Sequence, residues 1–172
     1  GGLAMCGITG FIQYGGGSRD ELSQRCQRMA DTIAHRGPDA GGVWVDAAYP
    51  LALGHRRLSI IDLSDAGAQP MVSASGRYVL SFNGEVYNFP RLREQTGVSA
   101  YPFKGHSDTE VILAAVQHLG VEGAISKLEG MFALALWDRE ERCLWLARDR
   151  VGKKPLYYGW CGNSFLFGSE LK

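Results

Sequence analysis

A chain of 172 residues, 45% hydrophobic and 21% charged, has the composition of one globular domain with its own core, which excludes a disordered or fibrous segment. Its 18 Lys and Arg balance its 18 Asp and Glu, so no basic excess points to a nucleic-acid backbone as partner. No apolar run reaches the ~20 residues of a bilayer span, and no charged-then-apolar start marks a secretory signal.

Gly1 to Ala4 read as a leader foreign to the fold, and Met5 as a start residue, so the domain is expected over residues 6–172. Ile8 to Tyr14 alternates as a strand does, until Gly15-Gly16-Gly17 breaks it. Ser18 and Glu21 form a capping box, and Leu22, Cys26, Met29, Ala30 and Ile33 follow at helical spacing. His35-Arg36-Gly37-Pro38-Asp39 stops that helix. Strand-like runs follow at Gly42 to Asp46, Leu51 to Ile60 and Arg77 to Tyr87. A second capping box, Ser107 with Glu110, opens an apolar helix that Gly120 closes, and a short helix covers Val121 to Leu128. Met131 to Trp137 is an unbroken apolar run, as expected of a strand buried on both faces. Cys143 to Ala147, Leu156 to Trp160 and Ser164 to Phe167 complete a meander, with Gly162-Asn163 as its last turn. Many strands with flanking helices fit sheets covered by helical layers.

Cys6 is the first candidate for chemistry. Removal of Met5 would leave it carrying both a thiol and a free α-amine. Their ordinary pKa values, about 8.5 and about 7.7–8.0, make proton exchange between them cheap near neutrality. The other cysteines, Cys26, Cys143 and Cys161, lack Cys-x-x-Cys or zinc-finger spacing and read as buried small hydrophobes in a reduced, cytoplasmic protein. No His spacing suggests a metal pair, and none of the four His reads as a partner for a Cys nucleophile.

Three further positions carry two readings each. Arg57 ends an apolar strand, where it is either a surface Arg or a fork for a carboxylate. Asn83-Gly84, read alone, is a hairpin-turn signal; the alternative is an oxyanion hole made by the Asn amide and the Gly N–H. Asp108 suits a helix first turn on dipole grounds, or it holds an amino group. Gly152-Lys153-Lys154 departs from a phosphate loop because Pro155 stands where a Ser or Thr is needed.

In chain order these become Cys6-Gly7-Ile8, His35-Arg36-Gly37-Pro38-Asp39, Arg57-Leu58-Ser59-Ile60, Asn83-Gly84-Glu85-Val86-Tyr87-Asn88, Ser107-Asp108-Thr109-Glu110 and Leu128-Glu129-Gly130-Met131-Phe132-Ala133. The series closely resembles the glutaminase domain of class II glutamine amidotransferases, which are N-terminal-nucleophile (Ntn) hydrolases. Arg148-Asp149-Arg150-Val151-Gly152-Lys153-Lys154-Pro155-Leu156-Tyr157-Tyr158 and Phe167-Gly168-Ser169-Glu170-Leu171-Lys172 resemble the asparagine synthetase branch.

The resemblance implies an α+β fold, the αββα four-layer sandwich with two mainly antiparallel sheets. It implies hydrolysis of L-glutamine to L-glutamate and ammonia, with Cys6 as nucleophile and Asn83 and the Gly84 N–H as oxyanion donors. Arg57 would hold the substrate carboxylate and Asp108 its ammonium, with Glu85 assisting, Ile60 lining the pocket and Arg36 shaping the site through its loop. No cofactor is expected in this chain. ATP and Mg²⁺ would belong to a synthetase domain in cis that lies beyond Lys172. No membrane or nucleic-acid partner is implied, and there is room for a homodimer. With Met5 still attached, Cys6 would have an amide in place of its base and turnover would be poor. Rival readings are the glutaminase half of another class II enzyme, and a glutamine-binding module without turnover.

Overall fold

The computed structural model describes residues 5–58 and 65–171. Ile60 lies outside the described residues. The first strand, β1, spans Gly7–Gln13, and helix α1 spans Arg19–Thr32 behind a complete capping box between Ser18 and Glu21. Strands β2 (Ala40–Val45) and β3 (Leu51–Arg57) follow. A two-residue β4 (Met71–Val72) precedes β5 (Tyr78–Val86). Helices α2 (Phe89–Glu94), α3 (Asp108–Leu119) and α4 (Val121–Ile125) come next, and β6 (Gly130–Asp138), β7 (Cys143–Arg148), β8 (Tyr157–Cys161) and β9 (Ser164–Gly168) end the chain.

The strands form two sheets, ordered β2-β3-β1-β9-β8 and β4-β5-β6-β7, and every ladder in them is antiparallel. Ile12, Leu51, Leu53 and Phe167 of the first sheet pack on Val79, Ala135 and Trp137 of the second. On the outer face of the first sheet, α1 buries Leu22 and Cys26 against Phe11, Val45 and Ala52. On the outer face of the second, α3 buries Val111, Ile112, Leu113 and Val116 among Leu80, Phe82, Leu134 and Leu136. The result is the αββα sandwich that the resemblance implies.

Strand β6 shows why its sequence is unbroken in hydrophobicity. Leu134 and Leu136 enter the helix-side core while Ala135 and Trp137 enter the inter-sheet core, and all four are fully buried. The buried Trp137 indole donates to Asp46 at 2.7 Å, so its N–H is not stranded. Among the described residues, no helix is long and apolar enough to cross a membrane.

Of the three cysteines expected to be buried only Cys26 is, since Cys143 is half-buried and Cys161 exposed on β8. Three expectations of local structure also change. Asn83-Gly84 is not a hairpin turn: β5 runs through it for 9 residues, paired to β6 as Asn83↔Ala133 and Gly84↔Phe132. Gly84 is needed because its φ is 146° and because a Cβ there would run into the Met131 carbonyl. Second, the box at Ser107 is half a box. The Ser107 hydroxyl accepts from the Glu110 N–H at 3.3 Å, but the buried Glu110 carboxylate turns away from the Ser107 N–H and accepts from the Lys104 and Gly105 N–H groups at 2.8 and 2.7 Å. Third, β4 and α2 were not expected. The first is too short to show a period, and the second is a six-residue turn of helix carrying Pro90 in its first turn.

Candidate active site

Cys6 stands one residue before β1, at the end of the sandwich where β3 finishes. The register Gly7↔Arg56 carries Cys6 alongside Arg57. The Leu58 N–H reaches the Cys6 Sγ at 3.5 Å, which fixes the thiol on the side of the loop leaving β3. The turn after α1 supplies the other support: Arg36 Nε donates to the Cys6 carbonyl at 3.2 Å. That turn is itself locked on β3, since Pro38 bridges Arg57 and the Asp39 N–H donates to the Arg57 carbonyl at 3.1 Å. The motif from His35 to Asp39 is thus a brace for both Cys6 and Arg57.

The facing wall is β5. His55, 1% exposed, donates from Nε2 to the Phe82 carbonyl at 3.0 Å, and the Ser81 hydroxyl reaches the Gly54 carbonyl at 3.4 Å. These contacts set the end of β3 against the middle of β5. By strand alternation Asn83 and Glu85 share the Ser81 face, turned toward the first sheet.

One edge of β5 is open beyond β4. The Gln69 side chain fills the first gap, its Oε1 accepting the Phe82 N–H at 2.7 Å. Asp108 Oδ2 fills another, accepting the Val86 N–H at 3.1 Å. Alternate N–H groups of an antiparallel strand point to the same edge, so the Gly84 N–H lies between these two and points the same way. The Asn83 side chain is 2% exposed and its Nδ2 has no hydrogen-bond partner. Buried side-chain donors seldom go unpaired in native proteins, and an orphan of this kind calls for a role.

Charges divide across the site. Arg57 ends β3 and lines a cavity of about 240 Å³ with Asp39, His55, Asp65 and Gln69. Burial drives the His55 pKa down to about 4; the Phe82 carbonyl opposes this and the Arg57 charge reinforces it, so His55 is a neutral strut. Asp108 is the first residue of α3. Burial raises its pKa above the usual Asp range, backbone N–H groups of Val86 and Thr109 work against that, and the Glu85 carboxylate adds to it. Asp108 and Glu85, two carboxylates that feel each other and of which the first is desolvated, make an acidic corner suited to a cation. The Arg57 guanidinium lies on the β3 side.

The sequence-derived candidates therefore meet as follows. Cys6 lies beside Arg57; Asn83, Gly84 and Glu85 lie consecutively on β5; Asp108 is tied to that strand at Val86. Ile60 is outside the described residues. Sequence reasoning missed His55 and Gln69. His55 directly follows the small and apolar run Leu51 to Gly54 of β3, which was its signal; Gln69 acts from a loop through its side chain and left none. The apolar groove of about 260 Å³ between α1 and β8, walled by Met29, Ile33, Tyr157 and Leu166, contains none of these candidates.

The segment Arg148 to Pro155 does not fit a phosphate. The N–H groups of Val151, Lys153 and Lys154 turn inward to the Asp149 carboxylate at 3.1, 3.0 and 3.2 Å. Burial would raise the Asp149 pKa, but these donors and the Phe132 N–H hold it below the usual range. A loop whose amides are spent on its own carboxylate has none to offer a nucleotide. Among the described residues, no group of three or more His, Cys, Asp or Glu could hold a metal ion.

A four-layer αββα sandwich with a Cys just before its first strand defines the Ntn-hydrolase class. The glutamine amidotransferase domain model matches residues 5–172, and the chain belongs to that family. It is 40% identical to asparagine synthetase [glutamine-hydrolyzing] 3 of Bacillus subtilis (strain 168), over 98% of this chain and 27% of that protein. It is also 40% identical to asparagine synthetase B [glutamine-hydrolyzing] of Escherichia coli (strain K12), over 98% of this chain and 29% of that protein. The chain thus spans less than a third of either relative. Among solved structures, glutamine phosphoribosylpyrophosphate amidotransferase of B. subtilis shares the fold, with a TM-score of 0.79 at 20% identity, over 95% of this chain and 42% of that one.

Proposed function

We propose that this domain hydrolyses L-glutamine to L-glutamate and ammonia, with Cys6 as nucleophile once its α-amine is free. The observation that carries the reading is the buried, unpartnered Asn83 Nδ2 next to the outward-pointing Gly84 N–H. Two preorganised donors on one rigid strand suit an oxygen that gains charge in the transition state.

In the reaction, Arg57 receives the α-carboxylate of glutamine, and Asp108, with Glu85, receives its α-ammonium. Opposite charges at the two α-groups orient the side-chain amide toward the thiol. The Cys6 Sγ bonds to the amide carbon while the α-amine takes the thiol proton. The carbonyl π-electrons move to oxygen, where Asn83 Nδ2 and the Gly84 N–H stabilise them. Collapse re-forms the carbonyl, and the leaving nitrogen departs as ammonia with the proton held by the Cys6 ammonium. Water then adds to the thioester through the same donors, with the amine again holding the proton, and glutamate leaves with the thiol restored.

In a protein of the relatives' length, the ammonia would serve an ATP- and Mg²⁺-dependent synthetase domain in cis that amidates an acceptor acid. The motifs of the last third favour the asparagine synthetase branch. Four cysteines, all free, suit a reducing cytoplasm.

The experiment is a glutamate-release assay on a protein that begins at Cys6, beside the same protein with Cys6→Ala. Glutamate release by the first alone supports the proposal; equal release by both, or by neither, overturns it.

A further inference from the structure

The β-ladders leave Cys6 itself unheld. Pairing of β1 with β9 ends at Thr9↔Gly168, and pairing with β3 ends at Gly7↔Arg56. Something else must fix the residue before the strand, and the chain leaving β9 supplies it. Ser169, 1% exposed, grips Ile8 on both sides: its N–H donates to the Ile8 carbonyl at 2.9 Å, and its Oγ accepts the Ile8 N–H at 2.9 Å. The next residue, Glu170, accepts from Arg36 Nη1 at 3.3 Å and pairs with His35 Nε2 at 2.8 Å through the same Oε1. Arg36 Nε in turn holds the Cys6 carbonyl.

We propose that Glu170 is a positioning residue for the nucleophile, acting through Arg36, in extension of the glutaminase reading and resting on it. A guanidinium is planar, with donors in a fixed fork, so anchoring it at Nη1 sets the direction of Nε. Nε sets the carbonyl, and the carbonyl sets the peptide plane from which the amine and thiol of Cys6 hang. The Arg36 side chain is only 11% exposed and its Nη2 is buried without a partner. A purely structural Arg would be expected to satisfy that atom. Ordinary partly exposed ion pairs contribute little to stability, so the value of this one lies in geometry. Small misplacements of a reacting group cost up to about 10²-fold in rate.

The test uses protein beginning at Cys6, with Glu170→Ala, Glu170→Gln and, as a control, Glu129→Gln, which loses only the exposed pair with Arg91. Glutamine kinetics and thermal melting are measured on each. The expected result is a loss in kcat of about tenfold or more for Glu170→Ala, since the thiol is no longer aimed. KM should stay within about twofold, because no glutamine contact is touched, and Glu170→Gln should recover part of the loss, because its Oε1 can still accept from Arg36. Unchanged kcat in both variants, a defect confined to KM, or a loss that tracks the melting temperature would overturn the proposal while active parent and Glu129→Gln proteins leave the glutaminase reading standing. An inactive parent protein overturns both.

Discussion

Asp108 accepts the Val86 N–H at 3.1 Å, two positions along β5 from Gly84 and on the same open edge. A residue at the head of α3 thereby completes a strand of the second sheet. Asp108 and the Asn83 and Gly84 donors are held at a fixed spacing because one strand carries the donors and holds Asp108.

Asp108→Asn separates binding from stability. Asn can still accept the Val86 N–H but carries no charge for an ammonium. The KM for glutamine should rise about 10-fold or more, as expected for losing a charge-assisted hydrogen bond, with a smaller change in kcat. Because the folded pKa is raised, ionised Asp108 carries a folding cost that appears as pH rises past 3.8 and is complete above the folded pKa. Melting at pH 7 should therefore show the variant as stable as the parent or more so. In the parent protein, KM should increase as pH falls to the raised pKa of Asp108, which then takes a proton and loses its hold on the ammonium. A variant with unchanged KM and lowered stability would remove Asp108 from the binding role.

Asn83→Ala should lower kcat by about 10²–10³ and leave KM nearly unchanged, the pattern of a donor used mainly in the transition state. The substitution also removes an unsatisfied buried amide, so denaturant melts should show little loss of stability. Gly84→Ala should behave differently, since the added methyl meets the Met131 carbonyl and the φ of 146° suits only glycine; it should destabilise β5 and lose activity together. Parallel melts and kinetics distinguish the two outcomes. If Asn83→Ala loses affinity alone, the oxyanion assignment is wrong.

His55 makes the fold acid-sensitive. The unfolded chain takes this proton near pH 6.5, and the folded protein only near pH 4. Stability is then full above about pH 6.5, falls as pH drops through that window, and levels off below about 4, a total on the order of 3 kcal/mol. Urea melts between pH 7 and 4 should show the decline. His55→Gln keeps a donor for the Phe82 carbonyl without titrating, and its melts should lose most of the slope. An equal slope in both proteins would assign the acid sensitivity to other groups.

The sandwich was legible where burial is periodic. Leu22, Cys26 and Ala30 marked the face of α1, and the run from Met131 to Trp137 marked a strand with a core on each side. The candidate site was legible as a set of motifs, but its assembly was not. Asn83-Gly84 carries the local chemistry of a turn, and only pairing with β6 along its whole length shows that it lies inside a strand. Glu110 carries the local chemistry of a box and is drawn off by two loop amides. In the first case a partner strand distant in the chain overrides a short-range preference, and in the second two amides five and six residues away do so. Gln69 and Glu170 act through side-chain contacts to residues outside their own elements, and such contacts leave no period to read.

The state of Cys6 determines whether any of this machinery runs. With Met5 attached, the nitrogen of Cys6 is an amide whose lone pair is delocalised, and it cannot take the thiol proton near neutrality. Arg36, Arg57 and the β5 donors would be unaffected, because their contacts run to the Cys6 carbonyl and to other strands. The untrimmed protein should therefore bind glutamine with an affinity close to that of the trimmed one, yet release ammonia at least about 10²-fold more slowly, the scale expected for removing a general base. Calorimetric binding on both forms, set against ammonia release from both, checks the pair of statements. Equal turnover would mean that some other base serves the thiol. Lost binding in the untrimmed form would mean that the residue before Cys6 blocks the pocket, so that the missing amine is not the cause.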